Sequence, residues 1–159
     1  MEGQKEEIKD LQALKPVLDD LTGFIGIRPD RAVFVTPRAF KNKFPNDRSQ
    51  WPVFKIKAMD GLELNQQIDD DSLYAWSEQI KRYVIQPGLF RMSRLRASLL
   101  GWRNFKDADG AEIPFQKGED GRITDDAIRC LPMPLQIWLT NEIEAAASVT
   151  PEESEGLKF

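Results

Sequence analysis

The chain has 159 residues, 22 basic and 26 acidic side chains for a net charge of −4, and 41% hydrophobic residues, which is the size and composition of one folding unit with one core. It contains no histidine, the side chain most used for proton transfer near neutral pH and for zinc ligation, and one cysteine, Cys130, so no internal disulfide can form and a reducing compartment is expected. No apolar run nears the roughly 18 residues of a membrane span, and Met1 is followed by Glu2, Lys5, Glu6 and Glu7 rather than a signal-peptide core, so the protein is expected to be neither exported nor membrane-spanning.

Residues 4–21 place Ile8, Leu11, Leu14, Leu18 and Leu21 at spacings of three and four, the stripe of an amphipathic helix. Pro16 lacks an amide donor, which predicts two short helices or one kinked helix, ended by Gly23 and Gly26. Ala32 to Val35, bounded by Pro29 and Pro37, reads as a strand. Pro52 to Ala58 alternates, with Phe54 and Ile56 on one face and Lys55 and Lys57 on the other, and reads as a second strand. Between them, Asn42, Asn46, Asp47, Ser49 and the flanking prolines carry the chemistry of a loop.

Residues 71–85 put Leu73, Trp76, Ile80, Tyr83 and Val84 on one helical face, with Asp69, Asp70 and Asp71 supplying negative charge at the start of the expected helix. Pro87 and Gly88 break the chain. Leu89, Met92, Leu95 and Leu99 then form another helical stripe, read as core packing in preference to a partner groove, with Gly101 as its C-cap. Asp109-Gly110 and Asp120-Gly121 predict tight turns. Thr124 is expected to cap a short helix with Asp125 and Asp126 in its first turn. Pro134 is placed in the first turn of a longer helix whose buried face is Leu135, Trp138, Leu139, Ile143 and Ala146. Thr150-Pro151-Glu152-Glu153 forms a capping box for a last helical turn. These elements predict one α+β domain over residues 1–159, predominantly α-helical, with helices packed on a small two-stranded sheet or hairpin. Its parts are an N-terminal helical segment (1–25), a small β element with a basic loop (28–58) and a helical part (69–159).

Charge runs in blocks. Residues 28–57 carry eight basic side chains against Asp30 and Asp47, residues 60–78 carry six acids and no base, and residues 81–106 carry seven bases and no acid. From Asp107 onward twelve carboxylates face four basic residues. Such a mosaic suits pairing of patches within the fold or between subunits. Basic residues interleaved with rings can hold single-stranded nucleic acid, but acidic blocks of similar size flank both basic ones and the sequence pI is about 5.0, so nucleic acid is not the expected ligand.

No catalytic, cofactor or metal site assembles from the sequence. Asp107, Asp109, Gly110 and Glu112 imitate a calcium loop, but the glycine arrives two positions early. The Asp69–Asp71 cluster reads as a helix start rather than a magnesium site, and Cys130 as a small buried hydrophobe. A protein without enzymatic chemistry, acting through contact, is the expectation. Arg38, Lys41, Lys43 and Arg48 in the basic loop, and Arg91 and Arg94 on the arginine-bearing helix face, are the expected partner-contacting residues.

One resemblance sharpens that expectation. The segment 51–57, WPVFKIK, leading into 59–64, MDGLEL, then 99–105, LLGWRNF, with Asp107 to Gly110 and Ile113-Pro114-Phe115, followed by Leu131-Pro132, Glu142-Ile143 and Ser148 to Glu153, resembles small tail-assembly chaperone proteins of tailed bacteriophages. The resemblance covers roughly residues 51–155. It implies a factor in tail or virion morphogenesis that keeps a tape-measure or tail-tube protein soluble in the host cytoplasm until the tail polymerises. The alternative is a stoichiometric virion component at the neck, tail or capsid surface, contacting neighbouring subunits or copies of itself and located in the particle. The first fifty residues lie outside the resemblance.

Overall fold

The computed structural model describes residues 31–146. Five strands and five α-helices make up this stretch, in the order strand, helix, strand, helix, two strands, helix, strand, two helices. The strands are β1 (Ala32–Val35), β2 (Val53–Lys57), β3 (Tyr74–Ser77), β4 (Arg82–Ile85) and β5 (Leu99–Arg103). The helices are α1 (Arg38–Lys43), α2 (Gly61–Ile68), α3 (Pro87–Ser98), α4 (Asp125–Arg129) and α5 (Met133–Ala145). The expectation of a predominantly helical chain is therefore corrected: among the described residues 43% helix stands beside 22% strand, in two separate antiparallel sheets. The expected helix at 4–21 and the capping box at Thr150 lie outside the described residues.

The first sheet has the order β1-β2-β5 with β2 in the centre. Val33 pairs with Ile56, and Val35 with Phe54, which in turn pairs with Trp102, so these side chains share one face while Lys55 and Lys57 take the other. That alternation is the one expected for the strand at 52–58. The apolar face packs against α3 and α5 through Leu95, Leu139 and Ile143, all buried. Phe54 sits at the centre, its ring meeting those of Phe105 at 5.7 Å and of Trp102 and Trp138 at 6.3 Å.

The stretch between β1 and β2 is more ordered than loop chemistry predicts. It forms α1 and a 3₁₀ turn at Arg48–Gln50, the latter capped by Asp47, whose carboxylate accepts from the Ser49 amide at 3.1 Å. The Ser49 hydroxyl holds the Asp47 carboxyl below its ordinary range. Trp51 organises this corner by donating from Nε1 to the Phe44 carbonyl at 2.8 Å. Asn104 clamps it from just beyond β5: in a left-handed conformation at φ 56°, its amide donates to the Ser49 carbonyl and, at 3.1 Å, to the Trp51 carbonyl.

Helix α2 starts on a complete capping box. The Glu63 amide donates to Asp60 Oδ1 at 2.8 Å, and the Asp60 amide donates to Glu63 Oε2 at 3.1 Å. The second oxygen of Glu63 pairs with Lys57 Nζ at 2.7 Å, which ties the helix start to the end of β2.

The expected helix over 71–85 does not form. In its place are a 3₁₀ turn at Asp71–Leu73 and the β3–β4 hairpin, registered Tyr74 to Ile85, Ala75 to Val84, Trp76 to Tyr83 and Ser77 to Arg82. Tyr, Trp, Val and Ile dominate these strands and favour a pleated surface. The reversal at 78–81 is set by Lys81, at φ 52°, whose ammonium pairs with Glu78. Asp70 caps the 3₁₀ turn rather than a long helix, accepting from the Ser72 amide at 3.0 Å. The end of the hairpin is closed by the Gln86 amide donating to the Leu73 carbonyl at 2.7 Å.

Pro87 opens α3 from its first turn instead of breaking the chain, because a missing amide costs nothing there. Gly101 is not a C-cap. The backbone turns extended at Leu99, and Gly101 is buried in β5 opposite Lys55.

Beyond β5, two isolated bridges, Lys106 to Glu112 and Lys117 to Ile123, flank the two expected Asp-Gly turns, with Gly110 at φ 82° and Gly121 at φ 77°. Phe115 stands edge-on to Trp102 at 4.8 Å, and Trp102 Nε1 donates to the Ile113 carbonyl at 2.7 Å. Thr124 caps α4 as expected, with Asp125 and Asp126 in the first turn, and Pro134 lies in the first turn of α5. Leu139, Ile143 and Ala146 are buried on α5, with Leu135 and Trp138 packed beside them. Cys130 departs from the buried position expected of it: it is exposed at the end of α4, its thiol directed at the Asp126 carbonyl at 3.4 Å.

Candidate interaction surface

The basic residues singled out in the sequence fall in two places. Arg38 and Lys43 are exposed on α1, with the Lys43 ammonium 5.4 Å from the Phe44 ring centroid. Lys41 and Arg48 lie over the buried Trp51 ring, at 5.9 and 5.5 Å from its centroid, so both cations are tied into the fold through that ring. Lys41 also faces Glu142 on α5, whose carboxyl is pushed above its ordinary value of 4.5 by burial, an effect the nearby ammonium partly opposes.

A raised carboxyl pKa means that the folded state binds a proton more tightly than the unfolded chain. Glu142 therefore favours folding most at acidic pH, and its contribution fades as pH rises from 4.5 through the raised value. Glu142→Gln is expected to raise Tm at pH 7, with the difference from the parent closing below pH 4.5. Thermal unfolding followed at both pH values reads this directly, and an unchanged difference across the range contradicts it.

The second pair lies on α3, and its two members differ. Arg94 is turned into the molecule: its side chain is 13% exposed, its guanidinium pairs with Glu144 of α5, lies 4.5 Å from the Phe90 ring centroid and reaches Gln67 Oε1 at 3.5 Å. Burial pulls its pKa below the ordinary value. Arg91, one turn away, reaches only Met133 Sδ at 3.0 Å and forms no ion pair among the described residues.

An open apolar surface lies beside Arg91, in the segment where the sequence predicted a helix stripe. Because cross-strand partners share a face, Tyr74, Trp76, Tyr83 and Ile85 stand on one side of the hairpin. Tyr83 is 70% exposed and Trp76 48% exposed, and their rings meet edge-on at 5.3 Å. Trp76 Nε1 donates to Glu78 at 2.7 Å, and Lys81, then Trp76, keep the Glu78 carboxyl below its usual range.

Ile85 carries this face into a groove of about 270 Å³ between α3 and α5, floored by Pro87, Phe90 and Ile137 and edged by Arg91 and Asn141. Sequence reasoning missed this surface. Its signal was available in the period-two alternation of Tyr74, Trp76, Tyr83 and Ile85, which a helical spacing of the same residues masked.

Asp107, the head of the calcium-like cluster, spends its carboxylate on the turn, accepting from the amides of Asp109 and Ala111 at 2.9 Å each. Among the described residues no group of three or more His, Cys, Asp or Glu side chains is placed to hold a metal ion, and no helix is long and apolar enough to cross a membrane. Comparison with protein-family models, curated proteins and solved structures gives no match.

Proposed function

We propose that this protein works by holding another polypeptide, through the aromatic face of the β3–β4 hairpin and the α3–α5 groove that continues it. The single observation that carries the reading is the exposure of Trp76, Tyr83 and Ile85 on one hairpin face beside the exposed Ile137. Scattered apolar residues on a surface are ordinary; large ones gathered on one face and rimmed by polar groups mark a site of association. Tyrosine and tryptophan are also the residues that carry the most binding energy at protein interfaces. A two-stranded hairpin is marginally stable alone, so a partner laid on its face would also strengthen it.

The resemblance of residues 51–155 to tail-assembly chaperones supplies the class of partner: a tape-measure or tail-tube protein kept soluble before polymerisation. In the alternative reading the same surface joins neighbouring virion subunits. A photo-crosslinking side chain at position 83, with position 129 on α4 as the control, tests both in cells producing the particle. A crosslink to the tape-measure or tail-tube protein from position 83 alone, with the chain missing from purified particles, is the expected result. Fixed copy number in the particle transfers the assignment to the structural alternative. Crosslinks no more frequent from position 83 than from position 129 overturn the docking surface itself.

A further inference from the structure

We infer that the α3–α5 groove takes an acidic amphipathic segment of the partner, with apolar side chains seated on Ile85, Phe90 and Ile137 and a carboxylate bound by Arg91. This rests on the proposed docking surface and names the chemistry of what occupies it. The groove floor is apolar, but its charges are unbalanced. Glu144 is the one acid among the described lining residues, and Arg94 already holds it. Arg91 brings a second positive charge to the rim, where its only close polar contact among the described residues is the thioether of Met133. A guanidinium presents a planar fork of donors that matches a carboxylate, and a charge-assisted pair at the edge of an apolar groove is stronger than one in open water.

The neighbouring ring is also fixed for this task. Arg94 lies on Phe90, and the Phe90 carbonyl accepts from Gln67 Nε2 at 3.2 Å, so the floor is braced from α2 and from α5. Asn141 adds an amide at the rim able to donate to backbone carbonyls of the occupant. An amphipathic helix presents apolar side chains at spacings of three and four, with carboxylates on its flanks, and so satisfies both the floor and the rim. A basic segment fills the same floor but places like charge against Arg91.

The test uses the full chain and two synthetic helical peptides of about 14 residues with the same leucine spacing, one flanked by glutamates and one by lysines. Fluorescence anisotropy is expected to show the acidic peptide binding and the basic one binding at least tenfold more weakly. Arg91→Glu should reverse that preference, and Arg91→Gln should remove it, with far-UV circular dichroism and Tm unchanged. Ile137→Glu should abolish binding of both.

Equal binding of both peptides, lost in Ile137→Glu, overturns the acidic occupant while the docking surface stands. Binding of either peptide that is indifferent to Ile137→Glu removes the groove altogether. A dimer seen by light scattering and dissolved by Ile137→Glu assigns the groove to a second copy and overturns the inference. Acidic-peptide binding that appears only after deletion of residues 147–159, which hold Glu152, Glu153 and Glu155, assigns it to the chain's own C-terminal segment and overturns it likewise.

Discussion

Phe54→Ala is expected to lower the unfolding free energy by about 3–5 kcal/mol, the usual cost of emptying a fully buried aromatic position. Phe54 has no solvent exposure and lies on the central strand, where its ring touches three other aromatic side chains, Trp102, Phe105 and Trp138. Truncation removes the transfer energy of the ring and leaves a void. Its neighbours are poorly able to collapse into that void, because Trp102 is held by its bond to the Ile113 carbonyl and by the edge contact with Phe115. Domains of this size have total stabilities of about 5–15 kcal/mol, so the variant should unfold at far lower urea concentration than the parent or fail to accumulate. Phe54→Leu, which keeps most of the volume, should cost markedly less. A loss below about 1 kcal/mol for the alanine variant contradicts the placement of Phe54 at the centre of the core.

The two arginines of α3 are expected to separate in a stability measurement. Arg94→Glu should cost about 2–3 kcal/mol, the scale of a hydrogen bond to a charged group lost with its acceptor left behind. The new carboxylate would also face Glu144 and lose the contact with the Phe90 ring. Arg91→Glu should lie within about 0.5 kcal/mol of the parent, as an ordinary surface substitution does, because its only close polar partner among the described residues is Met133 Sδ. Urea unfolding of the two variants side by side decides the matter. Similar losses for both would mean that Arg91 supports the fold to the same degree as Arg94. The practical consequence is that charge reversal at Arg94 is a poor test of partner binding, whereas reversal at Arg91 is a clean one.

The clearest gap between sequence and structure is the segment 71–85. Leu73, Trp76, Ile80, Tyr83 and Val84 satisfy a helical period, but Trp76 and Tyr83 also fall opposite one another in a hairpin. Over so short a run the two periods share residues, and hydrophobic spacing alone does not separate them. Composition favoured the strand, since the residues at issue are aromatic or β-branched. The basic loop is a milder case: α1 is six residues long and depends on Trp51, so its formation is a property of that ring's environment more than of local propensity. The helix α2 was not among the expected elements, although Asp60 and Glu63 stand at the spacing of the capping box that opens it.

Local chemistry by itself determined β1, the alternation of β2, the two Asp-Gly turns, the Thr124 cap and the proline-led start of α5. Each depends on a backbone preference or a side-chain bond spanning a few residues. The pairing of β5 with β2, the exposure of Cys130 and the different roles of Arg91 and Arg94 were decided by the tertiary structure alone. They turn on which distant residue lies alongside: Glu144 stands fifty positions beyond Arg94, and no short-range pattern encodes its approach. The hairpin face belongs to the same class. Whether Trp76 and Tyr83 are core or surface depends on what the rest of the chain leaves uncovered.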